Sequence, residues 1–204
     1  LPAVFVILLV GLFPILYTLV VSLQNINMFE EDTSFSGLMN YARLLEDGRF
    51  WQALGHTLLF LAIALPAELI LGLLLAFLFL ERMPGRQVFV ALLVLPVVIS
   101  PIIAGAMWRL LFDNRFGPIN QIVSWLTGEP TTILWIVSPQ FVYPAILMAE
   151  IWQWTPFMFL LLLAALSNVD KSQLEAAEID GAGFAVTFRT IILPAIRPVL
   201  VIAV

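Results

Sequence analysis

The sequence has no cysteine, a single histidine and few charged residues, which make up 11% of its 204 residues. Without cysteine the chain can form neither a disulfide framework nor a thiolate metal site. His56 has no second ligand near it in the sequence, and one imidazole alone makes a poor metal site. We therefore expect no metal site in this chain.

Motifs for catalysis and for nucleotide binding are also missing. No G-x-x-x-x-G-K loop occurs, so the chain cannot bind and hydrolyse ATP by that route. No combination of Ser, His and Asp supports nucleophilic catalysis. The nine Lys and Arg residues form no basic block, which argues against nucleic acid as a partner. We expect a protein that is not an enzyme.

Apolar residues, in contrast, make up 62% of the chain. A soluble domain is about half apolar and a quarter charged, so a soluble core cannot bury this much apolar surface. The apolar runs are close to the ~20 residues that a helix needs to cross a bilayer. The fold class predicted is all-α, a polytopic bundle of transmembrane helices. Its five apolar segments are residues 1–23, 57–80, 88–112, 141–166 and a fifth that starts near Leu193.

Proline and glycine interrupt these segments, for example at Pro66, Pro96 and Pro156. In a bilayer the freed backbone groups must be satisfied by neighbouring helices, so the kinks predict a packed bundle. The first residue is Leu rather than Met, and Val204 interrupts an apolar run. We therefore expect one membrane domain, residues 1–204, truncated at both ends, with about five spans here and six in the full chain.

The distribution of Lys and Arg gives a weak orientation. Residues 81–86 form a short turn, so the second and third spans must be antiparallel. This turn and residues 167–197 carry five Lys and Arg, against four on the other loops and span ends. By the positive-inside rule the turn and residues 167–189 are expected to be cytoplasmic, and the acidic loop 24–56, with Glu30, Glu31 and Asp32, external.

Residues 167–198 form a polar segment that membrane insertion does not explain. Ser172 and Glu175 have the spacing of a capping box, which predicts a helix start, and Gly181 is placed to end that helix. Phe184, Phe188 and Ile191 predict a second short helix over 184–192. The residues alone leave two interpretations open: a helix that inserts into a partner, or an amphipathic loop helix that lies on the membrane.

This segment resembles the EAA loop of permease subunits in bacterial ATP-binding-cassette (ABC) importers. The resemblance is carried by Glu175-Ala176-Ala177-x-x-Asp180-Gly181-Ala182 and then by Phe188-x-x-Ile191-x-Leu193-Pro194. Other stretches resemble the carbohydrate branch of that family. They are Phe35-Ser36-Gly37-Leu38-Met39-Asn40-Tyr41, Gly72-Leu73-x-x-Ala76, Leu95-Pro96, Ser100-Pro101 and Trp152-Gln153-Trp154-Thr155-Pro156-Phe157.

The resemblance implies a role for residues 167–198 as a cytoplasmic coupling loop. Its coupling residues would be Glu175, Ala176, Ala177, Asp180 and Gly181. It also implies a cytoplasmic ATPase dimer that binds ATP and Mg²⁺, a second permease subunit, an extracytoplasmic solute-binding protein and a sugar or sugar-like solute. The chain itself would need no cofactor and would lie in a bacterial or archaeal cell membrane as a multi-pass protein.

Glu68 and Glu150 lie inside apolar spans, where a carboxylate costs on the order of 2.5–3.5 kcal/mol on insertion scales. They are expected to face the bundle interior or an aqueous cavity. Either one lines the solute path, or each is protonated or hydrogen-bonded to a neighbouring helix. Trp154, one turn from Glu150, and Trp152 either contact a sugar ring or serve packing and the membrane interface.

Three alternatives of function stay open on the residues. The first is an ABC importer for another small polar solute, and the second is a secondary transporter in which Glu68 and Glu150 relay protons. A membrane-embedded enzyme would need a reactive cluster, which the sequence does not supply.

Overall fold

The computed structural model describes residues 2–26, 34–80 and 83–203, with side chains from Phe5 onward. The acidic cluster Glu30, Glu31 and Asp32 and residues 81 and 82 of the 81–86 turn lie outside the described residues. The described helices are α1 Pro2–Ser22, α2 Met39–Glu46, α3 Gly48–Leu78, α4 Arg86–Val98, α5 Pro101–Leu111, α6 Pro118–Thr127, α7 Pro139–Ser167, α8 Lys171–Ile179, α9 Phe184–Thr187, a π-helix Phe188–Ile192 and α10 Leu193–Ala203.

Within the described residues, four helical segments are long and apolar enough to cross a membrane, namely 5–22, 48–78, 139–167 and 184–203. A fifth is possible if the bent pair α4 and α5 counts as one span. The all-α fold class and the number of about five spans are therefore confirmed. The chain divides into two compact units, residues 1–59 and 60–204.

In the first unit, α2 is tied to the end of α1 by side-chain hydrogen bonds. The Asn40 amide donates to the carbonyl oxygens of Ser22 at 3.0 Å and Gln24 at 2.9 Å. The hydroxyl groups of Tyr41 and Ser22 are 2.7 Å apart. These bonds satisfy carbonyl groups at a helix end, which otherwise have no intrahelical partner.

The core of the second unit is formed by α3, α7 and α10. Phe159, Leu162 and Ile196 are fully buried in it, and Ala76 contributes a small surface from α3. Gly72 also faces α7, because a Cβ placed on it would lie 2.8 Å from the Met158 Cβ. Small residues of this kind let two membrane helices approach closely.

The apolar segment 88–112, which was predicted to be interrupted by proline, is divided more sharply than a kink. The structure has two helices, α4 and α5, which meet at a 98° bend between Val98 and Pro101. Pro101 has no N–H group and disfavours a helical conformation at Ser100, so the α-helix cannot run through this point. The buried side chain of Gln153 donates a hydrogen bond to the Ile99 carbonyl oxygen at the break, at 3.2 Å. This contact confirms that a neighbouring helix satisfies backbone freed by proline.

The loop between α5 and α7 is folded around Asn120 of α6. Its side-chain oxygen accepts hydrogen bonds from the Ile133 amide and the Trp135 indole, and its amide donates to the Ile133 carbonyl oxygen. Trp135 packs on Phe112, with ring centroids 5.4 Å apart. The loop therefore has its own small core.

The last span begins at Phe184 and not near Leu193, as was predicted. The short helix predicted over 184–192 is the first part of this span. α9, the π-helix and α10 follow one another without a break from Phe184 to Ala203. The π-helix inserts one extra residue per turn, a distortion that α-helices carry mostly as single turns.

Candidate functional site: the 167–198 loop and the intramembrane carboxylates

The N-terminus of α8 is capped by Asp170. The Asp170 Oδ1 atom accepts a hydrogen bond from the Ser172 amide at 2.9 Å. That bond holds the pKa of the exposed Asp170 carboxyl below its usual range. The capping box predicted from Ser172 and Glu175 is therefore wrong, because Ser172 already lies inside the helix. Asp170 stands two residues before it and is itself a preferred cap.

At the C-terminus of α8 the predicted role of Gly181 is confirmed. Gly181 has φ +74°, the left-handed conformation that glycine adopts without strain. The Gly181 amide donates to the Glu178 carbonyl oxygen at 3.1 Å, and the Ala182 amide donates to the Ala177 carbonyl oxygen at 2.8 Å. This pair of bonds is a Schellman motif, which satisfies two carbonyl groups at the helix end.

One apolar side chain seats α8 on the membrane domain. Leu174 is half-buried and packs against the core of α3, α7 and α10. On the rest of the helix, Glu175 and Ala176 are exposed, as are Asp180 and Gly181 after it. Ala177 is half-buried, so it presents less surface than its neighbours. The predicted coupling residues thus lie together on a short, capped helix that keeps most of its surface free of its own chain.

The segment after α8 is anchored by aromatic contacts. The ring of Phe77 on α3 lies 5.8 Å from that of Phe184 and 6.2 Å from that of Phe188. The two later rings stack at 6.0 Å. Phe188 is therefore a packing residue of the membrane domain, whereas the sequence had left it open as part of a partner surface. These contacts and Leu174 connect both ends of the loop to the transmembrane core.

The two intramembrane carboxylates come together although 82 positions separate them in sequence. Glu68 is 3% exposed and lies on the face of α3 that includes Ala64, Gly72 and Ala76. Glu150 on α7 is half-buried and is close enough to Glu68 for a Coulombic interaction. The prediction that these groups face other helices holds for Glu68. Among the described residues, no group of three or more His, Asp or Glu forms a metal site.

Trp152 and Trp154 occupy different faces of α7. Trp152 is half-buried and packs edge-on against Trp108 of α5, with ring centroids 5.7 Å apart. Trp154 is 39% exposed and contacts Phe157 edge-on at 6.2 Å. It follows Glu150 by four residues, which places the two on one side of the helix.

Sequence reasoning missed Asp170, Leu174 and Gln153. Asp170 was detectable, because an Asp just before a helical stretch is a common cap. Leu174 was also detectable, because it is the only large apolar residue between Lys171 and Glu178. A single large apolar side chain in a polar helix is a candidate for the contact that holds the helix on the rest of the protein. Gln153 could be singled out only by its place in an apolar span.

The arrangement is a set of apolar helices long enough to span a membrane, followed by a short capped helix seated on them. Residues 41–204 match the family described as the inner membrane component of binding-protein-dependent transport systems. The chain belongs to this family.

Two curated relatives show the likeness along the whole chain. The trehalose/maltose transport system permease protein of Thermococcus litoralis is 36% identical over 203 residues, which are 100% of this chain and 68% of the relative. The trehalose transport system permease protein of Mycobacterium tuberculosis is 32% identical over 99% of this chain and 64% of the relative. The chain thus spans about two thirds of the length of these relatives.

The fold has solved counterparts. A bacterial ABC transporter that imports the acidic polysaccharide alginate gives a TM-score of 0.78 at 22% identity, covering 99% of this chain and 68% of that chain. At that identity the likeness concerns the fold. The family match does not favour the proton-coupled secondary transporter or the membrane-embedded enzyme.

Proposed function

We propose that this chain is the membrane domain of a permease subunit in an ABC importer for a sugar or sugar-like solute. It forms half of the translocation path, and α8 couples that path to a separate ATPase. The observation that carries the proposal is α8 itself: a helix capped at both ends, seated by Leu174 and exposed at all its other residues except the half-buried Ala177. The relatives named for trehalose and maltose support a sugar as the solute.

The build of α8 suits the transmission of force. A nine-residue helix is shorter than the ~12–15 residues that an isolated helix needs in water, so its caps and its contact with the core maintain it. Glu175 and Ala176 give it a charged and a small exposed surface, which fits a groove in a partner. Because Leu174 touches the core of α3, α7 and α10, a displacement of α8 is passed to the membrane helices.

The partners follow from this role. A cytoplasmic ATPase dimer holds ATP and Mg²⁺ and receives α8 in a cleft, while this chain binds neither. A second permease subunit completes the path, and an extracytoplasmic solute-binding protein delivers the solute. Residues 167–189 lie on the cytoplasmic side.

The direct test is reconstitution of the full-length subunit with a second permease and an ATPase of the same transport system. We expect the three to co-purify and to take up radiolabelled trehalose or maltose into proteoliposomes only with ATP and the binding protein. Uptake by the permease chains without an ATPase would contradict the proposal. ATP-dependent uptake of a different polar solute, with no sugar transported, would retain the importer and reject the sugar.

The orientation gives a separate prediction. The sequence contains no cysteine, so single cysteines can be placed at Ser172 in α8 and at Ser34 in the first loop. In intact cells, Ser34→Cys is expected to react with an impermeant maleimide and Ser172→Cys only after permeabilisation. Both side chains belong to exposed residues, so each reaction reports the side of the membrane. The reverse labelling pattern would place α8 outside and remove its contact with a cytoplasmic ATPase.

Glu150 provides a test of the solute path. Its carboxyl is half-buried and lies near Glu68 and on the side of Trp154, where it can accept hydrogen bonds from a sugar hydroxyl. Glu150→Gln is expected to lower kcat/KM for uptake by about ten-fold, the loss of one charged hydrogen bond, with assembly unchanged. Glu129→Gln, in the loop between α6 and α7, is the control and should transport normally. Normal uptake of all sugars by the Glu150 variant would make it a packing residue.

A further inference from the structure

A groove between α4 and α7 has a cation at one end and apolar walls along the rest. Its volume is about 500 Å³. Arg86 and Gln87 stand at the start of α4, where the helix leaves the 81–86 turn. The walls are Val90, Ala91, Val94, Leu160 and Leu163.

Arg86 is the unusual member of this groove. Its Nε atom is buried and has no hydrogen-bond partner. Among the described residues, the ion pair that the structure contains joins Arg49 to Asp47, and Arg86 forms no ion pair. A buried donor on a charged group is costly when it is unpaired, so an anionic acceptor at this position would be stabilised.

The groove has the length of one membrane leaflet. From Arg86 to Val94 the helix advances about 12 Å at 1.5 Å per residue, close to half of the ~30 Å hydrocarbon thickness. Its polar end therefore lies at headgroup level, and its apolar part at the depth of an acyl chain. A phosphodiester supplies the acceptor that Arg86 lacks, and the attached chain covers the apolar walls.

We propose that this groove binds one anionic phospholipid, with its phosphate on Arg86 and an acyl chain along Val90, Val94 and Leu160. The proposal concerns a lipid site beside the solute path, and it depends only on the chain spanning a membrane. The net negative charge of the lipid distinguishes this site from general annular contact. A zwitterionic lipid also carries a phosphodiester, but its headgroup ammonium offsets the negative charge that attracts Arg86.

The test uses the assembled full-length complex, stripped of lipid in detergent and then exposed to equal amounts of phosphatidylglycerol and phosphatidylcholine with identical chains. Native mass spectrometry counts the lipids retained. We expect the complex to retain phosphatidylglycerol over phosphatidylcholine by at least about five-fold. This ratio corresponds to the attraction between one Arg and an anionic membrane surface. Arg86→Gln should abolish the preference, Arg43→Gln on α2 should keep it, and inorganic phosphate should not displace the lipid.

A second measurement identifies the occupant without changing Arg86. A photoreactive amino acid at Ala91, which is exposed in the groove wall, should cross-link to lipid. A cross-link to another segment of the full chain or to the second permease would overturn the proposal. Equal retention of both lipids by the wild type, or an undiminished preference in Arg86→Gln, would overturn it as well.

Discussion

Replacing Gly181 with valine is expected to leave the permease inserted and assembled but to abolish ATP hydrolysis stimulated by the loaded binding protein. Gly181 has φ +74°, where an L-residue is strained by roughly 1–2 kcal/mol and a β-branched one more. The space around it is open, so the effect comes from the backbone and not from a clash. The strained residue would undo the Schellman bonds and shift Asp180, which the groove of the ATPase is expected to receive.

The chain offers a matched control for this substitution. Gly128 ends α6 with φ +75° and also has open space around it. Gly128→Val therefore carries the same backbone strain at a helix end. Gly128 precedes the span α7 and Gly181 follows it, so the two glycines are expected on opposite sides of the membrane. Stimulated ATPase activity should survive in Gly128→Val and be lost in Gly181→Val. Equal loss in both would assign the effect to general destabilisation.

Ala176 tests the same surface without altering the helix end. It is exposed on α8, whereas Ala177 is half-buried, so Ala176 is the better position for added bulk. A tryptophan at Ala176 should fit the isolated permease and obstruct docking of the ATPase. If Gly181→Val and Ala176→Trp both keep full coupling, α8 is an ordinary surface helix.

The spans were predictable because the bilayer imposes a length and an apolar composition that a single sequence displays. The bend between α4 and α5 was visible only in part. Pro96 and Pro101 indicate interrupted backbone, but the 98° angle depends on how both helices contact α7, with Gln153 on the Ile99 carbonyl. Sequence spacing carries no information about that contact.

The candidate site was likewise predictable where its signals are local. Gly181 was identified because glycine readily adopts the left-handed conformation that often ends a helix, and this preference depends only on the residue itself. The start of α8 was misplaced since Asp170 and Ser172 are both suitable caps two residues apart, and the side chain that bonds is decided by the folded loop. The approach of Glu68 to Glu150 is set by the packing of α3 on α7, which no pattern within either helix encodes.

The packing of α3 on α7 depends on Gly72. A Cβ at this position would lie 2.8 Å from the Met158 Cβ, 2.9 Å from the Phe159 nitrogen and 3.0 Å from the Met158 carbonyl carbon. Two of these atoms are backbone, so α7 itself would have to move. Overpacking of a tight core costs about 1–3 kcal/mol, and a β-branched side chain here enters the interface more deeply than alanine.

Gly72→Val is therefore expected to lower the thermal midpoint of the purified full-length complex by several degrees, since about 1 kcal/mol corresponds to about 2–4 °C at this chain length. Gly55→Val is the matched control, because Gly55 lies on the same helix and a Cβ there meets nothing within 4 Å. The two variants share the change in helix propensity, so the difference between their midpoints isolates the contact with α7. Separation of α3 from α7 also moves Glu68 relative to Glu150. Solute uptake should therefore fall in Gly72→Val together with the thermal midpoint, and should stay unchanged in Gly55→Val. Equal midpoints for the two variants would show that α3 and α7 are not in close contact in the assembled transporter.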